Sequence, residues 1–150
     1  MSSCGSHGSY RANKGSRAGY IWVGNSETQC PGQCVWPFHQ PICGPQGPPL
    51  VALNDIVGMD GMVMNVAGLL ADTVINPFGN RYFQSPKDAP LEAASVCPGV
   101  YGSGAYPGYA GKLLVDPTSR ASYNAYGIDG RKYLLLALFD PAAQTCATLV

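Results

Sequence analysis

The sequence predicts an α+β fold: a small mixed sheet around one buried central helix, with long Gly/Pro-rich loops tied by disulfides. Three observations carry this. The 150 residues include 19 glycines and 13 prolines, about a fifth of the chain against an average near 12%, so turns dominate and helix is scarce. One segment, 60–75, keeps apolar residues at three- and four-residue spacing. Six cysteines exceed what a reducing compartment usually leaves in a domain of this size, which points to disulfides.

Each element follows in order. Residues 1–18 are polar, Ser/Gly-rich and basic (Arg11, Lys14, Arg17) and read as a flexible polar arm. The remainder, 19–150, is the folded unit. Tyr20-Ile21-Trp22-Val23 is aromatic and β-branched between glycines and predicts a strand covered on both faces. Segment 30–50 is crowded with prolines from Pro31 to Pro49, which disfavour helix and sheet pairing. It reads as an extended loop anchored by Trp36, Phe38 and His39. The helix 60–75 takes Asp60 as its N-cap, carries Met62, Val63, Val66, Leu69, Leu70 and Val74, and stops at Asn76-Pro77. Apolar residues cover most of its circumference, so it is expected to be buried all round. Its one polar stripe is Asn65, Gly68 and Asp72. Loops fill 77–111. Lys112–Val115 and Ala121–Ala125 read as strands joined by an Asp116-Pro-Thr-Ser-Arg120 turn. Ile128-Asp129-Gly130 marks a second turn, and the apolar run 131–140 is the last strand, ending at Asp140-Pro141.

Charged residues make up 12% of the chain and cancel to zero net charge, which excludes a polybasic nucleic-acid binder. The apolar share of 46% excludes wholesale disorder. No run of 18 apolar residues occurs, so no membrane span is expected. Met1–Gly8 lacks an apolar leader core. Cysteines suited to an oxidising compartment without a leader lead to the expectation that the chain is part of a longer secreted protein.

The residues signal little established chemistry. Cys30 and Cys34 lack the second pair that a zinc half-site needs, His7, His39 and Cys43 being the nearby candidates. They are read as disulfide cysteines, and Cys97 with Cys146 is the favoured long-range bridge. There is no nucleophile elbow, phosphate loop or His-Glu-x-x-His. His39 reads as a structural histidine. Asp72 and Glu92 are carboxylates in apolar surroundings, and such groups are costly unless paired. Arg81, Lys87, Arg131 and Lys132 are the candidate partners. Tyr101, Tyr106 and Tyr109 could stack on sugars, although packing within their own loop is the default.

Seven blocks together are more specific than any motif. They are Trp22-Val-Gly-Asn-Ser-Glu-Thr-Gln-Cys-Pro-Gly-Gln-Cys34, Trp36-Pro-Phe-His-Gln-Pro41, Asp60-Gly-Met-Val63, Asn76-Pro-Phe78, Ala89-Pro-Leu-Glu-Ala93, Gly104-Ala-Tyr-Pro-Gly-Tyr109 and Gly130-Arg-Lys-Tyr-Leu134. In this order they resemble the plant phosphate-induced protein family, also called EXORDIUM-like. The resemblance runs from Cys4 to Val150 and implies the C-terminal half of a secreted protein of the apoplast and cell wall, associated with brassinosteroid-dependent growth. The chain departs from the family at Cys43, where Tyr is usual, and at Leu53 and Leu136, where Pro is expected. The isolated half is expected to fold poorly, lacking strands to flank Tyr20–Val23 and to cover the central helix.

A more distant resemblance, to microbial proteins with a zincin-like His-Glu-x-x-Glu helix and a later Glu, places those positions on Gly68, Leu69, Asp72 and Glu92. It implies a relic topology with relic metal-site positions at Gly68, Asp72 and Glu92, and neither a bound metal nor a cofactor. The preferred expectation is therefore a non-enzymatic extracellular protein with recognition residues at Trp36, Tyr101, Tyr106 and Tyr109. Its partner would be a cell-wall polysaccharide or an extracellular protein, not nucleic acid. A metal hydrolase using Asp72, Glu92 and His39, and a carbohydrate-binding module, are the alternatives.

Overall fold

The computed structural model describes residues 4–41, 47–79 and 91–150. Cys43, Arg81 and Lys87, singled out from the sequence, lie outside the described residues.

The architecture is α+β. One long helix is accompanied by four two-stranded antiparallel sheets among the described residues, rather than by the single mixed sheet expected. Strand β1 (Gly5–Arg11) pairs with β2 (Arg17–Val23) through a short 3-10 turn at Asn13–Gly15. Gly15 takes φ +79° there, a conformation that suits glycine. Two corrections follow. Residues 5–11 are strand rather than part of a polar arm, and β2 finds its flanking strand within the chain. The composition hid β1 because Ser, Gly and His carry little strand propensity. Pairing and a helix beneath it supply what propensity does not.

A one-turn helix α1 (Pro31–Cys34) sits inside the proline-rich loop, with Pro31 at the first helical position. Proline is tolerated there because its missing N–H would have no helical acceptor. The long helix α2 spans Val57–Ile75. It begins three residues before the predicted start because Asp60 is not its cap. The Asp60 carboxylate accepts the Asn54 backbone N–H at 3.0 Å and the Asn54 side-chain amide at 2.5 Å. The stop at Asn76-Pro77 is as expected, with the Asn76 N–H donating to the Asp72 carbonyl at 2.8 Å.

The orientation of α2 reverses the expectation of all-round burial. Gly58, Asp60, Gly61, Met64, Gly68 and Asp72 are buried, while Met59, Val66, Leu70 and Val74 are exposed. Its small and polar residues face inward because glycines let neighbours approach closely: a Cβ on Gly61 would collide with Val35, and one on Gly58 with Glu27. By length and composition α2 could cross a bilayer. Here its inward stripe, bearing Asp60 and Asp72, packs against the rest of the chain.

β3 (Leu114–Val115) pairs with β4 (Ser122–Tyr123) across the predicted Asp116 turn. The Asp116 carboxylate accepts the Thr118 and Ser119 N–H groups, each at 2.8 Å. β5 (Ala125–Tyr126) pairs with β6 (Lys132–Tyr133), and β7 (Leu138–Asp140) with β8 (Thr145–Ala147). The run 131–140 is thus two short strands rather than one. The core gathers Phe38, Ala52, Met64, Tyr101, Ala110 and Leu134, with Trp36, Leu53, Val57 and Leu136 packed against it.

Two disulfides staple this loop-rich chain. Cys97 joins Cys146 as expected. Cys34 joins Cys4 rather than Cys30, so Cys4 has a partner within the chain. They close loops of 30 and 49 residues, and loop-closure entropy gives each about 4 kcal/mol of stabilisation.

Candidate functional site

The polar stripe of α2 leads to a cluster that the sequence announced only in part. Alternation along β1 places Gly5, His7 and Ser9 on one face. That face meets α2, since a Cβ on Gly5 would strike Leu69 and one on Gly19 would lie 3.6 Å from Thr73. His7 therefore reaches the end of α2, where Asp72 points inward.

The third member, Glu92, begins a turn held in four ways. The Val96 N–H donates to the Glu92 carbonyl and the Phe139 N–H to the Ala93 carbonyl, both at 2.9 Å. The Ala94 N–H donates to Asp72 Oδ1 at 2.9 Å. Cys97 is bridged to Cys146. His7 Nε2 hydrogen-bonds Glu92 Oε2 at 2.5 Å, and the Asn76 side-chain amide donates to Glu92 Oε1 at 2.6 Å. One ligand-capable atom each from His7, Asp72 and Glu92 lies within 4.8 Å of the others.

The cluster is sheltered. Asp72 is 3% exposed, and the His7 and Glu92 side chains are 11% and 17% exposed. Burial raises the Asp72 carboxyl above its ordinary value and the neighbouring Glu92 adds to the rise; the Ala94 N–H, His7 and Ser95 oppose it. A cleft of about 330 Å³ opens beside His7, Ser9, Asn76, Phe78, Glu92 and Ser95. A second, of about 250 Å³, runs past Gly68, Asp72, Ala94, Ser95 and Tyr101.

The structure thus brings together Asp72 and Glu92, two of the three positions that the distant resemblance singled out, and Gly68 lies one turn from Asp72 along the second cleft. Leu69 lines that cleft too, with its Cδ1 against Gly5 of β1. Among the described residues Glu92 pairs with His7, and of the basic side chains expected as partners Lys132 pairs with Asp116. Sequence reasoning missed His7 here because its strand is polar. The usable signal was Asn13-Lys14-Gly15, a turn between two short segments.

The aromatic candidates divide. Tyr101 is buried in the core, donates its hydroxyl to the Trp36 carbonyl at 2.9 Å and lies 5.7 Å from the Trp36 ring. Burial pushes its phenol well above the ordinary tyrosine range. Its ring is thus packed in the core, at the wall of the second cleft. Tyr106 and Tyr109 remain exposed as a tilted pair with ring centroids 5.1 Å apart. Tyr109, Trp36 and the exposed His39 line a groove of about 240 Å³. His39 stands clear of the His7–Asp72–Glu92 cluster's clefts.

Comparison with known proteins adds a family. The family model described as the phosphate-induced protein 1 conserved region matches residues 1–149. The chain is 66% identical to Protein EXORDIUM of Arabidopsis thaliana over 152 residues, covering all of this chain and 48% of that protein. It is 67% identical to Protein PHOSPHATE-INDUCED 1 of Nicotiana tabacum over 151 residues, covering 98% of this chain and 48% of that protein. Against Protein EXORDIUM-like 2 of Arabidopsis thaliana the identity is 64%, with 50% of that protein covered. The chain spans about half the length of these curated relatives. No solved structure matches it.

Proposed function

The chain belongs to the phosphate-induced protein 1 family, and from that premise we propose that it acts outside the cell as a non-enzymatic regulator of plant growth at the cell wall, tied to brassinosteroid-dependent growth. The observation that carries this is the family match over essentially the whole chain, at 61–67% identity to five relatives. Two disulfides support the extracellular placement, because such bridges persist in oxidising compartments.

A second reading has its own observation. Exposed Tyr106 and Tyr109, with Trp36 in the neighbouring groove, form an aromatic surface. Such a surface suits the apolar face of a sugar, so a cell-wall polysaccharide is the partner class it favours. Tyr106→Ala with Tyr109→Ala should abolish retention on cell-wall polysaccharide without changing the melting temperature by more than a degree or two.

The primary reading is tested by expressing the full-length gene product that carries this chain, fused to a reporter, in a plant. The reporter is expected in apoplastic fluid and wall fractions, and overexpression should change the growth response to added brassinosteroid. Intracellular retention, or a growth response identical to the empty vector, would refute it.

A further inference from the structure

We propose that His7, Asp72 and Glu92 form a binding site for one divalent transition-metal ion, of which zinc is the representative. The site clamps β1 and the Glu92 turn onto the end of α2. The proposal goes beyond the functional reading above and does not depend on it.

Donor type comes first. One imidazole and two carboxylates are a set suited to first-row transition ions, whereas Ca²⁺ and Mg²⁺ favour all-oxygen shells. Distance comes second. Metal–ligand bonds of ~2.1 Å place neighbouring donors of a tetrahedral site roughly 3.4 Å apart. The three donors already lie within 4.8 Å of one another. Closing the set takes adjustments of about 1 Å, with the His7–Glu92 contact opening from 2.5 Å.

Charge also favours a cation here: two sheltered carboxylates face each other, and no lysine or arginine ion-pairs with either among the described residues. His7 Nδ1 is buried without a hydrogen-bond partner, so an ion competes only with the Nε2 contact to Glu92 for the ring.

The surroundings are those of a supported site. Asn76 holds Glu92 Oε1 at 2.6 Å, and the Ala94 N–H holds Asp72 Oδ1 at 2.9 Å. These bonds fix one oxygen of each carboxylate, as supporting hydrogen bonds around metal ligands do, and the second oxygen of Glu92 is the one that meets His7. The adjoining cleft of about 330 Å³ gives the ion a route in and leaves room for water in the fourth position. Both flanks are covalently anchored, through Cys4 three residues before His7 and Cys97 five residues after Glu92.

The test uses the untagged 150-residue chain with its disulfides formed, stripped with a chelator and titrated with ZnCl₂ in a calorimeter. One zinc per chain is expected, with a melting temperature raised by roughly 5–10 °C at a hundredfold excess over Kd. Co²⁺ should give visible ligand-field bands, and Mg²⁺ should compete poorly. His7→Gln should lose at least tenfold in affinity while keeping a hydrogen bond to Glu92 and hence the fold, checked by near-ultraviolet circular dichroism. Asp72→Asn, which keeps the Ala94 hydrogen bond, should lose zinc to a similar degree and melt no lower than the metal-free parent. Absence of stoichiometric zinc in the parent, or undiminished binding in either variant, would overturn the proposal.

Discussion

Single side chains do much of the work that regular secondary structure does elsewhere. Asn124 is buried; its amide donates to the Tyr101 and Leu135 carbonyls at 2.8 and 2.7 Å, and its Oδ1 accepts the Leu135 N–H at 2.8 Å. It ties three chain segments that no continuous sheet joins. Asn124→Ala strands those groups and should cost roughly 2–3 kcal/mol in urea unfolding; a loss below about 0.5 kcal/mol would contradict this role. Asp116 gives a pH prediction. Lys132 and the two turn N–H groups hold its carboxyl well below the usual range. A depressed folded value stabilises the protein above the unfolded value near 3.8 and loses that contribution as pH falls below it. Asp116→Asn should therefore flatten the acid limb of the stability curve and leave its neutral plateau lower. Neither residue was legible as special: Asn124 sits in a predicted strand, and Asp116 read only as a turn former. Asp72 and Glu92 were legible because carboxylates in apolar segments stand out, whereas His7 became meaningful only once β1 was paired.

At the scale of the element, α2 separates what periodicity reveals from what packing decides. Its apolar spacing and its Asn76-Pro77 stop were readable. Its facing was not, because an all-round apolar helix has no preferred side, and close approach through glycine chose the small, polar stripe. Two glycines on that stripe make opposite predictions. A Cβ at Gly61 meets Val35 and Ser26 within clashing range, so Gly61→Ala should cost roughly 1–3 kcal/mol. At Gly68 it would lie 3.5 Å from Ala94 and 3.8 Å from Leu136, which is ordinary contact. Gly68→Ala should therefore stabilise by up to about 1 kcal/mol through helix propensity. Thermal or urea unfolding of the pair checks both signs, and equal effects would contradict the facing assigned to α2.

At the scale of the whole molecule, the described residues form four small ribbons, the one-turn α1 and the long α2, joined by loops and two disulfides around a modest core. The expectation of poor folding rested on missing strands beside Tyr20–Val23 and over α2. β1 supplies the first. The second remains, since Trp22 on β2 and Val66, Leu70 and Val74 on α2 stay exposed. The α+β class followed from composition and the 60–75 periodicity, and Cys97–Cys146 was the favoured long-range bridge, but the Cys4–Cys34 bridge required the ribbon to bring Cys4 beside α1. Reduction of the two bridges should lower the melting temperature of the chain by at least 10 °C, given about 4 kcal/mol per bridge. Whether this family member is disulfide-stapled and extracellular is read directly by non-reducing peptide mapping, with mass spectrometry, of the protein recovered from apoplastic fluid. Peptides linking Cys4 to Cys34 and Cys97 to Cys146 are the predicted result. Recovery of Cys97 and Cys146 as free thiols, or of the protein in cytosolic fractions alone, would contradict it.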